Sequence, residues 1–179
     1  MKALIVVDML NEFIYGSGEQ RLIDESQRAE LVSNIKKVVQ LARKKKIPVI
    51  YSNLALRKND KIIGVIGECA MKGTNGAQVI SELKPENGDY VSEKRGYDGF
   101  FGSNLEKILK KLKVKEVYLV GTQTDCCVRE TGVGAAHLGF KVFIIEDCCA
   151  TNRQLGQEAA LGFARGCIGE VVKSDELKW

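Results

Sequence analysis

The stretch Lys115–Thr131, KEVYLVGTQTDCCVRET, decides how the chain is read. EVYLVG is short, apolar and made of residues that favour strands, GTQTD is a small polar turn, and CCVRET opens a segment with helical spacing. A thiol at a strand-to-helix turn faces unpaired helix N–H groups and the positive end of the helix dipole, and both favour the thiolate. The stretch reads as a nucleophile site, which needs a base, a cation and a pocket from elsewhere in the chain.

On either side, apolar strand-like runs alternate with helical patterns. Upstream, ALIVV at 3–7 reads as a strand buried on both faces, and IPVIYSN as a second, with its proline at the start. Between them the apolar positions Leu31, Ile35, Val38, Val39 and Leu41 predict a long amphipathic helix over about 26–46, while NEFIYGSGEQ reads as a loop with glycines at 16 and 18. Asp89–Ser92 is a brief strand followed by EKRGYDGFFGSN and a helix over about 103–112. Downstream, a helix over 127–138, a fifth strand KVFIIED, a helix over 154–165 and a sixth strand CIGEVV follow. This alternation predicts a single α/β domain over 1–179: a three-layer α/β/α fold around a mostly parallel, Rossmann-like sheet of about six strands. The irregular stretch 53–76, with a turn at KGTNG, is long enough to be expected over a site.

Composition narrows the classes of function. With 179 residues and 45% hydrophobic content the chain can bury a sizeable core, and 27 basic residues against 23 acidic ones leave a net charge of only +4. The densest basic run, Arg43–Lys46, sits at a helix end, where solvated charges offset the helix dipole, so nucleic-acid binding is not expected. Asp8 interrupts the first apolar run before it could serve as a signal-peptide core, no segment approaches a membrane span, and SDELKW does not end in a retention signal. Four of the six cysteines form the neighbouring pairs Cys126-Cys127 and Cys148-Cys149, which close strained rings if bridged, so free thiols in a reducing cytoplasm are expected.

Partners for the thiol can be sought at strand ends. Asp8 follows the first strand, where open α/β sheets build their sites, although a turn or capping aspartate reads the same way. Lys94 stands near the end of the third strand and is chemical only if it has partners there. Phe13, Ile14 and Tyr15 before the glycines, and Tyr97, Phe100 and Phe101 between others, are pocket walls or core packing. The single histidine, His137, lies about three turns into the helix after Cys127, about 15 Å along its axis, which makes it structural and leaves a carboxylate and a lysine to assist the thiol.

The combination of IVVDML, SEKRGYDGFFGSNL and VGTQTDCCVRET, with KGTNGA at 72–77, resembles the isochorismatase-like cysteine hydrolases, the superfamily of nicotinamidases and N-carbamoylsarcosine amidases, over nearly the whole chain. The resemblance implies a catalytic set of Asp8, Lys94 and Cys127. It makes Cys127 the nucleophile and Cys126 its neighbour. It also implies a cis peptide at Thr122-Gln123 and an oxyanion hole formed by the backbone N–H groups of Gln123 and Cys127.

Nicotinamidases bind a divalent metal through an Asp and His residues, whose aligned positions here are Asn53, Ala55 and Cys69. One histidine, placed elsewhere, cannot supply that set, so no cofactor is expected. The implied activity is hydrolysis of a small amide or carbamoyl compound through a thioester, with release of ammonia and homo-oligomer formation. Phe13, Tyr97 and Phe101 are the pocket candidates. Vinyl ether hydrolysis on the same fold is an alternative, though retention of the whole Asp-Lys-Cys set argues for acyl transfer. A thiol redox or binding module is a further alternative, weakened by the lack of C-x-x-C and by a G-x-G at 132–134 that lies within a helical pattern.

Overall fold

A computed structural model describes residues 1–17 and 21–179. Gly18, read above as part of a loop, lies outside the described residues. Six strands, β1 (Lys2–Val7), β2 (Val49–Leu54), β3 (Tyr90–Lys94), β4 (Glu116–Thr122), β5 (Lys141–Ala150) and β6 (Glu170–Val172), form one sheet in the order β3-β2-β1-β4-β5-β6. Every pairing is parallel. Such a sheet must be covered on both faces, which is why β1 and β2 read as continuous apolar runs.

One face is covered by α2 (Glu25–Lys44), whose Leu31, Ile35 and Val38 pack on Leu4, Val6, Tyr51 and Tyr118. The other carries α4 (Leu105–Lys111), α5 (Arg129–His137) and α6 (Gln154–Phe163), which bury Leu105, Leu109, Ala135 and Leu161 against Ile5, Val7 and Leu119. Two short helices, α1 (Asn11–Tyr15) and α3 (Ile63–Ile66), belong to the loops above the strand ends. α1 falls in the segment read above as a loop; five residues without a side-chain cap give too little period to recognise. A third, small cluster of Leu10, Phe13, Leu54, Leu56, Cys69 and Ala70 lies beneath the 55–79 loop.

Two strand boundaries and the surroundings of Arg43 differ from the sequence reading. Strand β5 continues through the acidic pair to Ala150, because Glu146 is paired with Arg165 and Asp147 accepts from the Ser174 N–H at 2.8 Å. Cys167 and Ile168 complete a helical turn, so β6 begins at Glu170. Arg43 is not merely solvated: its guanidinium bridges Asp89 and Glu86 and reaches the Tyr51 hydroxyl at 3.2 Å, tying α2 to the loop before β3.

Strand order reverses between β1 and β4, and in open α/β sheets the crevice at such a point is where sites form. Both strands end there in tight backbone contact. Gly121 has φ 122°, and a Cβ at that position would lie 2.0 Å from the Val7 carbonyl oxygen. Only glycine permits that approach.

Candidate active site

Asp8 directly follows β1 and lies in the left-handed region, with φ 49°, a conformation that aspartate tolerates better than most residues. Its N–H donates to Ser52 O at 3.1 Å, and its carbonyl accepts from Leu10 N–H at 2.8 Å and Thr122 Oγ1 at 3.1 Å. These bonds turn the carboxylate back over the sheet end. Oδ1 accepts from the Leu54 N–H at 2.7 Å. Oδ2 lies 2.8 Å from Lys94 Nζ, an ionic contact without good hydrogen-bond geometry, and takes no hydrogen bond among the described residues.

Lys94 ends β3 and has no exposed surface. Its ammonium also donates to Gly96 O at 2.8 Å and Tyr97 O at 3.2 Å, so the partners a buried lysine requires are present. Burial alone pushes Lys94 down, but Asp8 and then Cys127 reverse that and hold it above the ordinary lysine value of 10.5. It is a permanent cation at neutral pH.

The loop after Lys94 is latched to α5. Gly99 N–H donates to Thr131 Oγ1 at 2.9 Å, and the Asp98 carboxylate lies where a Cβ on Gly134 would fall. The G-x-G within the helix is thus explained: Gly134 is bare so that the lysine loop can seat on the helix that follows the thiol.

Cys127 lies in a π-helical turn, Thr124–Val128, which enters α5 directly. The turn is closed by the Cys126 and Val128 N–H groups, each 3.1 Å from Gln123 O. The Thr122-Gln123 peptide is cis. Gln123 is 7% exposed, and its own N–H donates to no group among the described residues. The Cys127 thiol is pushed up, first by its hydrogen bond with Cys126 and then by burial, against the pull of Lys94. The Cys126 thiol is drawn down by the same bond. The direction we assign to Cys127 is upward, since burial and Asp8 add to that bond. Cys127 is thus held as a neutral thiol near the Asp8 carboxylate and the Lys94 ammonium.

Cys127 opens into a cavity of about 410 Å³ walled by Phe13, Leu22, Leu54, Ile66 and Tyr97, with Cys69, Cys126, Gln123, Glu68 and Arg153 among its polar lining. Phe13 and Tyr97 therefore stand where a pocket wall was expected. Phe101 does not. It is 63% exposed and outside the cavity, because the turn in which its N–H meets Asp98 O at 3.1 Å and its carbonyl meets Arg95 N–H at 3.1 Å carries the ring outward. Leu54 and Arg153 went unrecognised in the sequence: Leu54 ends β2 but reads as one more apolar strand residue, and Arg153 lies three residues beyond β5, at the start of α6. A larger cleft of about 550 Å³ near Asn53, Lys72 and Glu93 contains none of Asp8, Lys94 and Cys127.

The positions of a nicotinamidase-type metal do not fit one. Asn53 is a buried carboxamide, Ala55 has no donor, and the Cys69 thiol is pushed up to about 11 by burial. No group of three acidic, histidine or cysteine side chains with metal-binding geometry occurs among the described residues.

Nicotinamidase 3 of Arabidopsis thaliana is 28% identical over 184 residues, covering 98% of this chain and 86% of the relative. Ureidoacrylate amidohydrolase RutB of Pseudomonas savastanoi pv. phaseolicola is 30% identical over 98% of this chain and 81% of its own. The crystal structure of N-carbamoylsarcosine amidase from Thermoplasma acidophilum superposes with a TM-score of 0.89 at 35% identity, covering 99% of each chain. Residues 2–176 match the Isochorismatase domain, and the chain belongs to the isochorismatase family.

Proposed function

We propose that the protein is a cysteine amidohydrolase that cleaves the carbon–nitrogen bond of a small amide or carbamoyl compound and releases ammonia. The observation that carries this reading is the buried Lys94–Asp8 ion pair, 2.8 Å across, beside a neutral Cys127 thiol that lines a cavity of about 410 Å³. Asp8 Oδ2, which takes no hydrogen bond among the described residues, accepts the Cys127 proton as the sulfur attacks the carbonyl carbon. Lys94 stabilises the thiolate as it forms. The N–H groups of Gln123 and Cys127 receive the oxyanion, Asp8 returns the proton to the departing nitrogen, and ammonia leaves. Water, deprotonated by Asp8, then cleaves the thioester to the acid, so amide and water become acid and ammonia. No step needs a metal.

The apolar wall of Phe13, Leu22, Leu54 and Tyr97 supports a small substrate with few polar groups, held where water is excluded. The match across 2–176 supports a single catalytic domain. Six unbridged cysteines support a reducing, cytoplasmic setting, and no helix of the described residues is long and apolar enough to cross a membrane. Leu155 and Phe163, 83% and 44% exposed on α6, support association of copies, which sedimentation would test.

The reading is tested by ammonia release from a panel of amides and ureido compounds, with intact mass spectrometry of quenched reactions. A substrate-dependent acyl adduct on Cys127, absent from Cys127→Ala, is the expected result. Turnover unaffected by Cys127→Ala would remove the mechanism.

A further inference from the structure

The proposed oxyanion site asks only for the backbone of Gln123, yet its side chain is fixed at both ends. Nε2 donates to Leu22 O at 3.1 Å and to Asn152 Oδ1 at 2.8 Å, and Oε1 accepts from Arg153 Nη2 at 2.9 Å. A main-chain carbonyl can only accept and a guanidinium can only donate, so the amide has one orientation. The anchors are themselves anchored. Arg153 pairs with Asp125 through Nε at 2.9 Å and Nη2 at 3.1 Å. Asn152 donates its N–H to Leu22 O at 3.0 Å and Nδ2 to Arg21 O at 3.2 Å.

Loop packing alone would explain buried hydrogen bonds. It does not explain why the residue held so firmly is a cavity-lining one whose own N–H finds no acceptor among the described residues. An oxyanion donor is effective only when it is aimed before charge develops, and small displacements at such a point are costly. We infer that Asn152 and Arg153, on the loop after β5, are positioning residues that aim the Gln123 N–H at the oxyanion. This rests on the amidohydrolase reading for the meaning of that N–H. Arg153 also lines the cavity, so Asn152, which does not, gives the cleaner test.

The test compares two reactions of Cys127 followed on its own peptide by mass spectrometry. p-Nitrophenyl acetate acylates the thiol through a tetrahedral oxyanion: the sulfur–carbon bond forms, the carbon–oxygen bond breaks, and the thiol proton ends on p-nitrophenol. Iodoacetamide alkylates the same thiol by displacing iodide, with no oxyanion. Asn152→Ala is expected to lower the acylation rate between about ten- and a hundredfold with alkylation unchanged. Asn152→Asp, which keeps the acceptor for Nε2, restores most of it. Gln123→Ala with Asn152→Ala loses no more than Gln123→Ala alone.

An unchanged ratio of the two rates in Asn152→Ala, or a parallel fall in both, overturns the positioning role. A parent ratio no higher than that of glutathione overturns the oxyanion site, and the positioning role with it. A high parent ratio that falls in Asn152→Ala, in a protein that hydrolyses no amide, sustains the positioning role and overturns only the substrate class.

Discussion

Cys126-Cys127 and Cys148-Cys149 are the same dipeptide placed near the same end of one sheet. Cys148 and Cys149 lie in β5 with 0% and 5% exposure. Burial pushes both thiols up, Cys149 against a backbone hydrogen bond with Gly121, and the Cys149 thiol donates to Leu119 O at 3.7 Å. The one cation that acts on the pair among the described residues, Lys37, is the smallest influence on Cys148 and does not offset its burial. Cys127 is as deeply buried, yet it has a lysine, a carboxylate and a cavity. Burial alone makes a thiol inert; burial beside a charged pair that can exchange its proton makes it a nucleophile.

That contrast can be broken or sharpened by substitution, and the largest effect falls on Cys127. Cys127→Ala is expected to lower amide turnover by a factor on the order of 10⁴ or more, measured as ammonia release. Next are its two partners. Asp8→Asn leaves the Lys94 charge buried and unpaired, and should cost about 3–5 kcal/mol in urea unfolding as well as most of the activity. The double variant Asp8→Asn/Lys94→Met should be more stable than Asp8→Asn, because it removes the orphaned charge.

The pair also has a pH signature. The folded value of Lys94 is raised above the ordinary 10.5, so the stability it contributes is fully present below 10.5 and is lost as pH rises through the folded value. Unfolding curves taken at successively alkaline pH should therefore show a decline that Asp8→Asn lacks. Smaller still is Cys149→Ala, expected to cost about 1 kcal/mol of stability while turnover is retained. The smallest effect is at Phe101, where Phe101→Ser should leave KM unchanged.

The contrast also marks what could be read from sequence. Asp8 and Lys94 stand where apolar or strand-like stretches end and Cys127 follows the turn after β4, and parallel strands bring such ends together. The alternation made the fold legible, but position alone left Asp8 and Lys94 open, and only the resemblance joined them to Cys127. The strand-turn-helix order around Cys126-Cys127, with the resemblance, singled out Cys127; the second pair was read as following a strand that ends at Asp147, whereas β5 runs through it to Ala150. Other parts were not legible. Phe101 and Tyr97 share one glycine-rich loop, and only the turn geometry sends one ring into the cavity and the other to solvent. Leu54 continues its strand like any core leucine. The Gln123 side chain is fixed by Leu22, Asn152 and Arg153, which no local pattern links to it, since these contacts span about 30 and 100 residues of chain.

Strand β1 lies between β2 and β4, and its pairing with β4 joins Lys2–Val7 to Glu116–Gly121. During synthesis, β1 and β2 emerge early, but one edge of β1 stays bare until residue 121 has left the ribosome. That edge consists of Ala3, Leu4, Ile5, Val6 and Val7, an uncharged β-forming run open to pairing with another nascent chain. The centrality that places Asp8 in the site thus makes the newborn protein most vulnerable to aggregation in the interval between its second strand and its fourth.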